Sequence, residues 1–256
     1  MSATDLMSLE PVIPAVALPE SLVVRPDIMQ RLDFAALFGN GHPVELELGA
    51  GDGSFLLRHA AAHPAVNFIG VERLLGRLRK IDRKGRRLGL ANLRAIRLEA
   101  AYLLEWMIPA ASLSAIHVYF PDPWPKRRHW KRRLVNLRFT EIAARALVPG
   151  GRFYVRTDDA SYFQQMTEVG NAQAGFNAVT EPPELLAVTT DFEADFNRDG
   201  IPTLHAAWER NLAEPTTVKR EELMSDAPAW DGRDGLHGPH GPDAPDAPDA
   251  PDVRAA

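Results

Sequence analysis

Cysteine does not occur in the 256 residues. Its absence excludes a disulfide framework, a thiolate nucleophile and a cysteine-based zinc site, and it fits a reducing cytoplasm. Long apolar runs are missing too, since no stretch approaches the roughly 18 residues that mark a membrane-spanning helix. The N-terminus, MSATDLMSLEPVIPAVALPE, has no basic segment ahead of an apolar one and is broken by prolines and acids, so it does not read as a secretion signal. No G-x-S-x-G nucleophile elbow appears. His59 and His63 sit four apart on an expected helix, but with no third ligand in view they read as surface histidines, and no metal is expected. The remaining expectation is a cytoplasmic globular protein without membrane contact; 45% hydrophobic residues is ordinary for that class.

The net charge of -5 misleads until it is divided. Residues 226–256 carry seven aspartates against two arginines, which leaves 27 acidic and 27 basic side chains in residues 1–225. The body is neutral on average, but its cations cluster in RLLGRLRKIDRKGRR (73–87) and KRRHWKRR (126–133), so local positive potential is strong. The tail repeats Pro-Asp-Ala and holds almost nothing that could be buried.

Three regions are expected: an N-terminal arm over 1–35, a domain over 36–222 and a disordered acidic tail over 223–256. Within the domain, β-rich runs begin at Val44, Asn67, Leu93, Ala115 and Arg152, separated by segments long enough for crossover helices. The segment LVNLRFTEIAARAL ends in Pro-Gly-Gly, which reads as a helix stop. Alternation of strand and helix predicts an α/β fold, mostly parallel, with helices on both faces. Ligands in such sheets sit beyond the carboxyl ends of the strands, at a switch point.

The first strand runs into ELELGAGDGSF, which places Gly49, Gly51 and Gly53 before a helix. Glycines there let the backbone turn and approach a bound nucleoside. The spacing is G-x-G-x-G rather than the dinucleotide G-x-G-x-x-G, and Glu47 and Asp52 flank the loop. A pyrophosphate would meet both carboxylates, at a cost on the order of 4 kcal/mol per like-charge pair about 4 Å apart. S-adenosylmethionine, with a sulfonium, an α-amine and no phosphate, reverses that sign. Glu72 ends the second strand, where a carboxylate accepts ribose hydroxyl protons, and Glu99 ends the third as a candidate for the adenine edge.

The fourth strand ends in HVYFPDPWPK. Prolines 121, 123 and 125 restrict the backbone, so Asp122 is expected in a rigid extended turn at the mouth of the site. Six of the eight residues from Lys126 to Arg133 are Lys or Arg. Carboxylates near a methyl donor repel phosphate, and an adjacent cationic run supplies the attraction a nucleic acid needs. Trp124 and Trp130 are candidates for stacking on bases and equally for packing.

LELGAGDGSF, FIGVER, VYFPDPWPKRRHWKRR, VRTDDASYF and TTDFE, in this order and spacing, resemble the bacterial tRNA (guanine-N7)-methyltransferase family, from about Val44 to Arg210. The resemblance implies a Rossmann-like class I methyltransferase fold and methyl transfer from S-adenosylmethionine to guanine N7 of tRNA, in the variable loop at position 46. It implies cofactor contacts at Glu47, Gly49, Gly51, Gly53, Glu72, Glu99 and Asp122, with Asp122 as the catalytic residue. Substrate contacts fall on Lys126, Asp158, Thr190 and Glu193. RNA contacts fall on Arg127, Arg128, His129, Lys131, Arg132 and Arg133. Two positions depart from the pattern: Glu99 stands where the family has Asp or Asn, and Asp191 replaces a common lysine.

Guanine N7 has an in-plane lone pair and no proton to lose, so positioning and electrostatics rather than a general base are expected to carry the reaction. The alternatives are an exocyclic-amine methyltransferase, a nicotinamide-dependent dehydrogenase and a noncatalytic RNA-binding module. A monomer or a homodimer is expected.

Overall fold

A computed structural model describes residues 18–217; residues 1–17 of the expected arm and the whole of the expected tail lie outside the described residues. Eight strands, β1 (Val23–Val24), β2 (Val44–Leu48), β3 (Asn67–Val71), β4 (Leu93–Ile96), β5 (Leu113–Tyr119), β6 (Leu147–Thr157), β7 (Phe176–Val179) and β8 (Leu204–Arg210), form one sheet. Their order is β1, β4, β3, β2, β5, β6, β8, β7. All neighbours pair parallel except β8, which is antiparallel to both β6 and β7. The five strands expected from sequence are β2 to β6; β1, β7 and β8 were not anticipated.

The chain builds outward from β2 through β3 to β4, then returns to the other side of β2 as β5. That reversal is the switch point at which an open α/β sheet binds its ligand. The helices are α1 (Phe34–Phe38), α2 (Ser54–Ala62), α3 (Leu75–Arg87), α4 (Ala100–Tyr102, running into a π-turn over Leu103–Met107), α5 (Leu137–Ala146), α6 (Ala160–Ala172), α7 (Pro183–Leu186) and α8 (Asp191–Arg198).

Alternation in VELEL puts Val44, Leu46 and Leu48 on one face of β2 and Glu45 and Glu47 on the other, and the sheet carries a separate core on each face. Val44, Leu46 and Leu48 join Phe139 of α5 and Tyr162 and Met166 of α6 on one face. On the other, Leu78 and Ile81 of α3 pack with Leu56 and Leu57 of α2, Leu93 and Leu22. Each such aliphatic side chain contributes about 1.5–3 kcal/mol by burial. Gly85 lets α3 lie close to the sheet: a Cβ there would stand 2.5 Å from Leu22 and 3.2 Å from Leu93.

The helix stop differs from expectation. Asn136 caps α5 by accepting from the Phe139 N–H at 2.9 Å, and the helix ends at Ala146, before Pro-Gly-Gly. Those three residues lie inside β6, where the register against β5 shifts between Leu113 and Ala115. Gly151 fits there because a Cβ would crowd the carbonyls of Val148 and Leu113 at 2.9 and 3.0 Å. Among the described residues no helix is long and apolar enough to cross a membrane.

Candidate active site

In the sheet order, the carboxyl ends of β4, β3, β2, β5 and β6 are consecutive. They are followed in turn by Glu99, Glu72, the glycine loop, Asp122 and Asp158. Five functional segments far apart in sequence therefore share one rim, with adjacent strands about 4.8 Å apart.

The loop after β2 uses its glycines as expected: Gly49, Gly51 and Gly53 have φ of 79°, 54° and 77°, a left-handed conformation that costs other residues strain. The N–H groups of Gly49 and Ala50 both donate to the Val71 carbonyl at 2.9 Å. Glu72 accepts from Gly51 N at 3.0 Å and from Leu74 N at 2.7 Å. It thus ties the loop to the start of α3. Glu99 is exposed and caps α4 through the N–H groups of Ala101 and Tyr102. Asp52 faces α3, 3.1 Å from Lys80.

Glu47 differs from every other acid at the rim. It is 4% exposed, and its Oε2 has no hydrogen-bond partner. Burial pushes its pKa up to about 8, opposed by the Arg156 guanidinium and reinforced by Glu72. A buried carboxylate with a free oxygen is costly unless a cation or donor arrives. The residues present therefore fit a cationic nucleoside: a glycine cradle, one tied carboxylate and one untied.

Beneath this layer two polar clusters stiffen the site, and sequence reading missed both. Arg156, fully buried, donates to Glu181 Oε1 at 2.5 Å, to Glu193 Oε2 at 3.0 Å and to the carbonyls of Leu185 and Val188. Glu193 also closes a capping box with Thr190 at the start of α8. Thr190 and Glu193, expected as substrate contacts, are both buried, and their hydrogen bonds hold α8 in place. Asp191 binds Arg58 of α2 at 3.1 Å, and its N–H donates to Ser54 Oγ at the same distance.

The second cluster corrects the reading of His59 as a surface residue. His59 is 7% exposed; its Nε2 and that of His117 lie 3.1 and 3.0 Å from Glu45 Oε2. His117 Nδ1 meets the Tyr119 hydroxyl at 2.9 Å. Burial alone would raise the Glu45 pKa, but hydrogen bonds from the two imidazoles hold it well below the carboxylate range. Burial lowers His117, against the pull of Glu45. These three donor groups lie within 4.8 Å of one another, a set that suits a divalent metal, with both imidazoles turned onto the carboxylate. His63 is half-buried.

Asp122 is exposed at the end of β5, in a segment whose flanking backbone is strained: Phe120 and Trp124 have φ of 49° and 46°, rare for side-chain-bearing residues. Phe120 N donates to the Arg156 carbonyl at 2.8 Å. A 3₁₀ helix over Arg127–Arg132 follows. Lys126, Arg127, Arg128, Lys131 and Arg132 are exposed, and His129 is partly so. Desolvation and then the neighbouring cations, Arg132 first, lower the His129 pKa. Arg132 lies over Trp124 at 5.0 Å and Arg127 over Trp130 at 5.9 Å.

Arg133 corrects the expectation of an RNA contact. Its side chain is fully buried; it donates to the Pro123 carbonyl at 2.8 Å, Ser161 Oγ at 2.7 Å and Gln165 Oε1 at 3.0 Å, between the rings of Trp130 and Tyr162. The last cation of the run is the staple that holds the Asp122 turn. Asp158 is half-buried; the next residue, Asp159, caps α6. Sequence reading also missed an aromatic group beside the turn, where Phe120 lies 6.4 Å from Phe192 and 5.6 Å from Phe196, with Phe192 51% exposed.

A family model described as "Putative methyltransferase" matches residues 41–206. A tRNA (guanine-N(7)-)-methyltransferase of Sodalis glossinidius (strain morsitans) is 38% identical over 190 residues, 72% of this chain and 78% of that one. Proteins of the same name from Geobacter metallireducens (strain ATCC 53774 / DSM 7210 / GS-15) and Vibrio vulnificus (strain YJ016) are 41% and 36% identical. These alignments span 59% and 70% of this chain, and 71% and 76% of theirs. A solved structure, the antibiotic-resistance methyltransferase Kmr, aligns with a TM-score of 0.49 at 20% identity over 74% of this chain and 95% of that one.

Proposed function

The chain belongs to the tRNA (guanine-N(7)-)-methyltransferase family, and on that premise we propose that it transfers a methyl group from S-adenosylmethionine to N7 of a guanine in the tRNA variable loop, at position 46. The observation that carries the reading is the unpartnered, buried Glu47 oxygen on a rim of acids that continues, past Asp122, into an exposed cationic ledge. The first feature calls for a positive ligand and the second for a polyanion.

Bound there, S-adenosylmethionine supplies a methyl group on a positively charged sulfur, which guanine N7 can take with its lone pair without losing a proton. Glu47, Glu72 and Glu99 hold the donor, with the Gly49 to Gly53 backbone against it. Asp122 accepts hydrogen bonds from guanine N1–H or the exocyclic amine and steadies positive charge as it develops on the purine. Its strained, proline-bound turn, stapled by Arg133, keeps that carboxylate from swinging away. Phe192, with Phe120 beside it, offers a face for the extruded base. Asp158 assists in orientation, and Lys126, Arg127, Arg128, His129, Lys131 and Arg132 grip the backbone.

The test is direct. Purified protein is incubated with labelled methyl donor and bulk tRNA, and the digested nucleosides are identified by mass. Label in 7-methylguanosine is expected; label on an exocyclic amine, or no transfer with the donor bound, overturns the reading.

A further inference from the structure

Beyond Arg77 and Lys80, which lie against Asp52 and Glu72, the cations of the basic run over residues 73–87 have no part in the site just described. The run forms α3, and the fold sorts its side chains. Leu78, Ile81 and Gly85 face the sheet. On the opposite face Arg79, Arg83, Arg86 and Arg87 are all exposed; Arg83 lies four residues after Arg79 and three and four before Arg86 and Arg87, so that they form one stripe about 12 Å long at 1.5 Å per residue. Among the described residues none of the four is in an ion pair. The acids nearby are occupied: Asp52 lies against Lys80 and Arg77 and Glu72 against Arg77, and Asp82, the only acid in α3, accepts from Leu22 N at 2.7 Å and Ser21 Oγ at 3.2 Å.

Like charges at these spacings oppose the helix that carries them. The helix dipole accounts for Arg86 and Arg87 in the last turn but not for Arg79 and Arg83 in the middle. General excess of positive charge does not account for them either, because residues 1–225 are balanced. A stripe that weakens its own helix and lacks internal partners is matched to an external anion.

We propose that the outward face of α3 is a second RNA-contacting surface, which takes the phosphate backbone of a double-helical arm of the substrate, while the 3₁₀ ledge takes the unpaired region around the target base. This rests on the proposed action on tRNA. The contrast between the two surfaces assigns the arms. The ledge interleaves its cations with Trp124 and Trp130, rings on which unpaired bases stack. α3 contains no aromatic residue, so it offers charge without stacking, which suits duplex RNA recognised by shape and phosphate. α3 begins three residues after Glu72, so a folded RNA seated with its target at the rim reaches both.

The experiment uses the full chain with Arg79, Arg83, Arg86 and Arg87 all changed to Ala, and a second variant with only Arg79→Gln and Arg83→Gln. Affinity is measured across a salt series for folded tRNA and for a single-stranded oligonucleotide of variable-loop sequence, with donor binding by calorimetry. The fourfold variant is expected to lose about tenfold or more in affinity for folded tRNA, and its log–log salt slope to shrink by about 0.9 for each phosphate contact removed. Binding of the oligonucleotide and the donor stays at wild-type levels. The double variant shows a smaller loss in the same direction. Unchanged affinity for folded tRNA, or an equal loss on both RNAs, overturns the proposal. Wild-type protein is assayed for methyl transfer in parallel. If it methylates tRNA while the variants bind as well as it does, the α3 surface fails alone; if wild type transfers no methyl to tRNA, the functional reading fails and this surface with it.

Discussion

Two buried ionisable side chains lie under the same rim and are treated in opposite ways. Arg156 is closed: two carboxylates and two carbonyls meet its guanidinium. Glu47, also buried and close enough to Arg156 to feel its charge, keeps one oxygen without a partner. Closure makes Arg156 structural, since it locks α7, α8 and β6 together. Openness makes Glu47 a site, because a buried carboxyl oxygen without a partner is a cost that a donor or a cation can relieve.

The largest effect is expected where the closed network is opened. Arg156→Met leaves Glu181 and Glu193 buried without their cation, and removal of one partner from a buried pair costs about 3–5 kcal/mol. Denaturant unfolding measures this, and a loss under about 1 kcal/mol would break the comparison. Arg133→Ala comes next. It strips the Pro123 carbonyl and the Ser161 and Gln165 side chains of their donor and is expected to cost about 2–3 kcal/mol, with methyl transfer falling as the Asp122 turn loosens. The salt slope of RNA binding stays put, because a buried guanidinium releases no counterions. Arg133→Lys should recover little, since an ammonium lacks the planar fork.

Glu47 sharpens the comparison in the opposite sense. In the folded protein it holds its proton up to about 8, whereas unfolded it releases it near 4.5. The folded state is therefore favoured below pH 4.5, and that advantage is lost as pH rises through about 8. Glu47→Gln removes a penalty on the order of a few kcal/mol at pH 8, so its thermal midpoint should exceed wild type there and converge with it near pH 4. Donor affinity should fall roughly 10- to 100-fold at pH 8 with the charge-assisted bond gone. In wild type, donor affinity climbs toward pH 8 by at most about tenfold per unit, a rise the Gln variant lacks. A variant both less stable and weaker in binding would mean that Glu47 is a structural residue.

The same contrast marks what could be read from sequence. Strands β2 to β6 were legible because short apolar or alternating runs are bounded by turn residues and separated by helix-length segments, and the rim acids because they stand at strand ends. β1 is two residues long and β8, LHAAWER, has no period that separates strand from helix. The clusters around Arg156 and Glu45 join elements far apart in the chain, so no local pattern announces them. Arg133 was misread because a charge run counts residue types and not directions: the cap of the 3₁₀ helix turns the sixth cation inward while its neighbour stays out. Phe192 lies inside the TTDFE motif, but its exposure and its place beside Phe120 come from the fold and not from the local pattern.

Exposed groups should give the smaller changes. Phe192→Ala is expected to reduce kcat/KM for tRNA by about 1–3 kcal/mol of lost stacking, with Phe192→Tyr close to wild type and stability unchanged. If Ala and Tyr behaved alike, the base would be stacking elsewhere.

Arg132→Ala is the mildest, and it pairs with Arg133→Ala as adjacent residues of opposite kind. Arg132 is exposed and rests on Trp124 at 5.0 Å, so its removal should cost folding about 0.5 kcal/mol or less, as surface substitutions do. Its effect belongs to RNA: one phosphate contact gone, a salt slope smaller by about 0.7 on single strands, and a loss of affinity that vanishes at high salt. Were Arg132→Ala to destabilise the protein as much as Arg133→Ala, both residues would be staples and the ledge would begin further upstream, at Lys126 to Arg128.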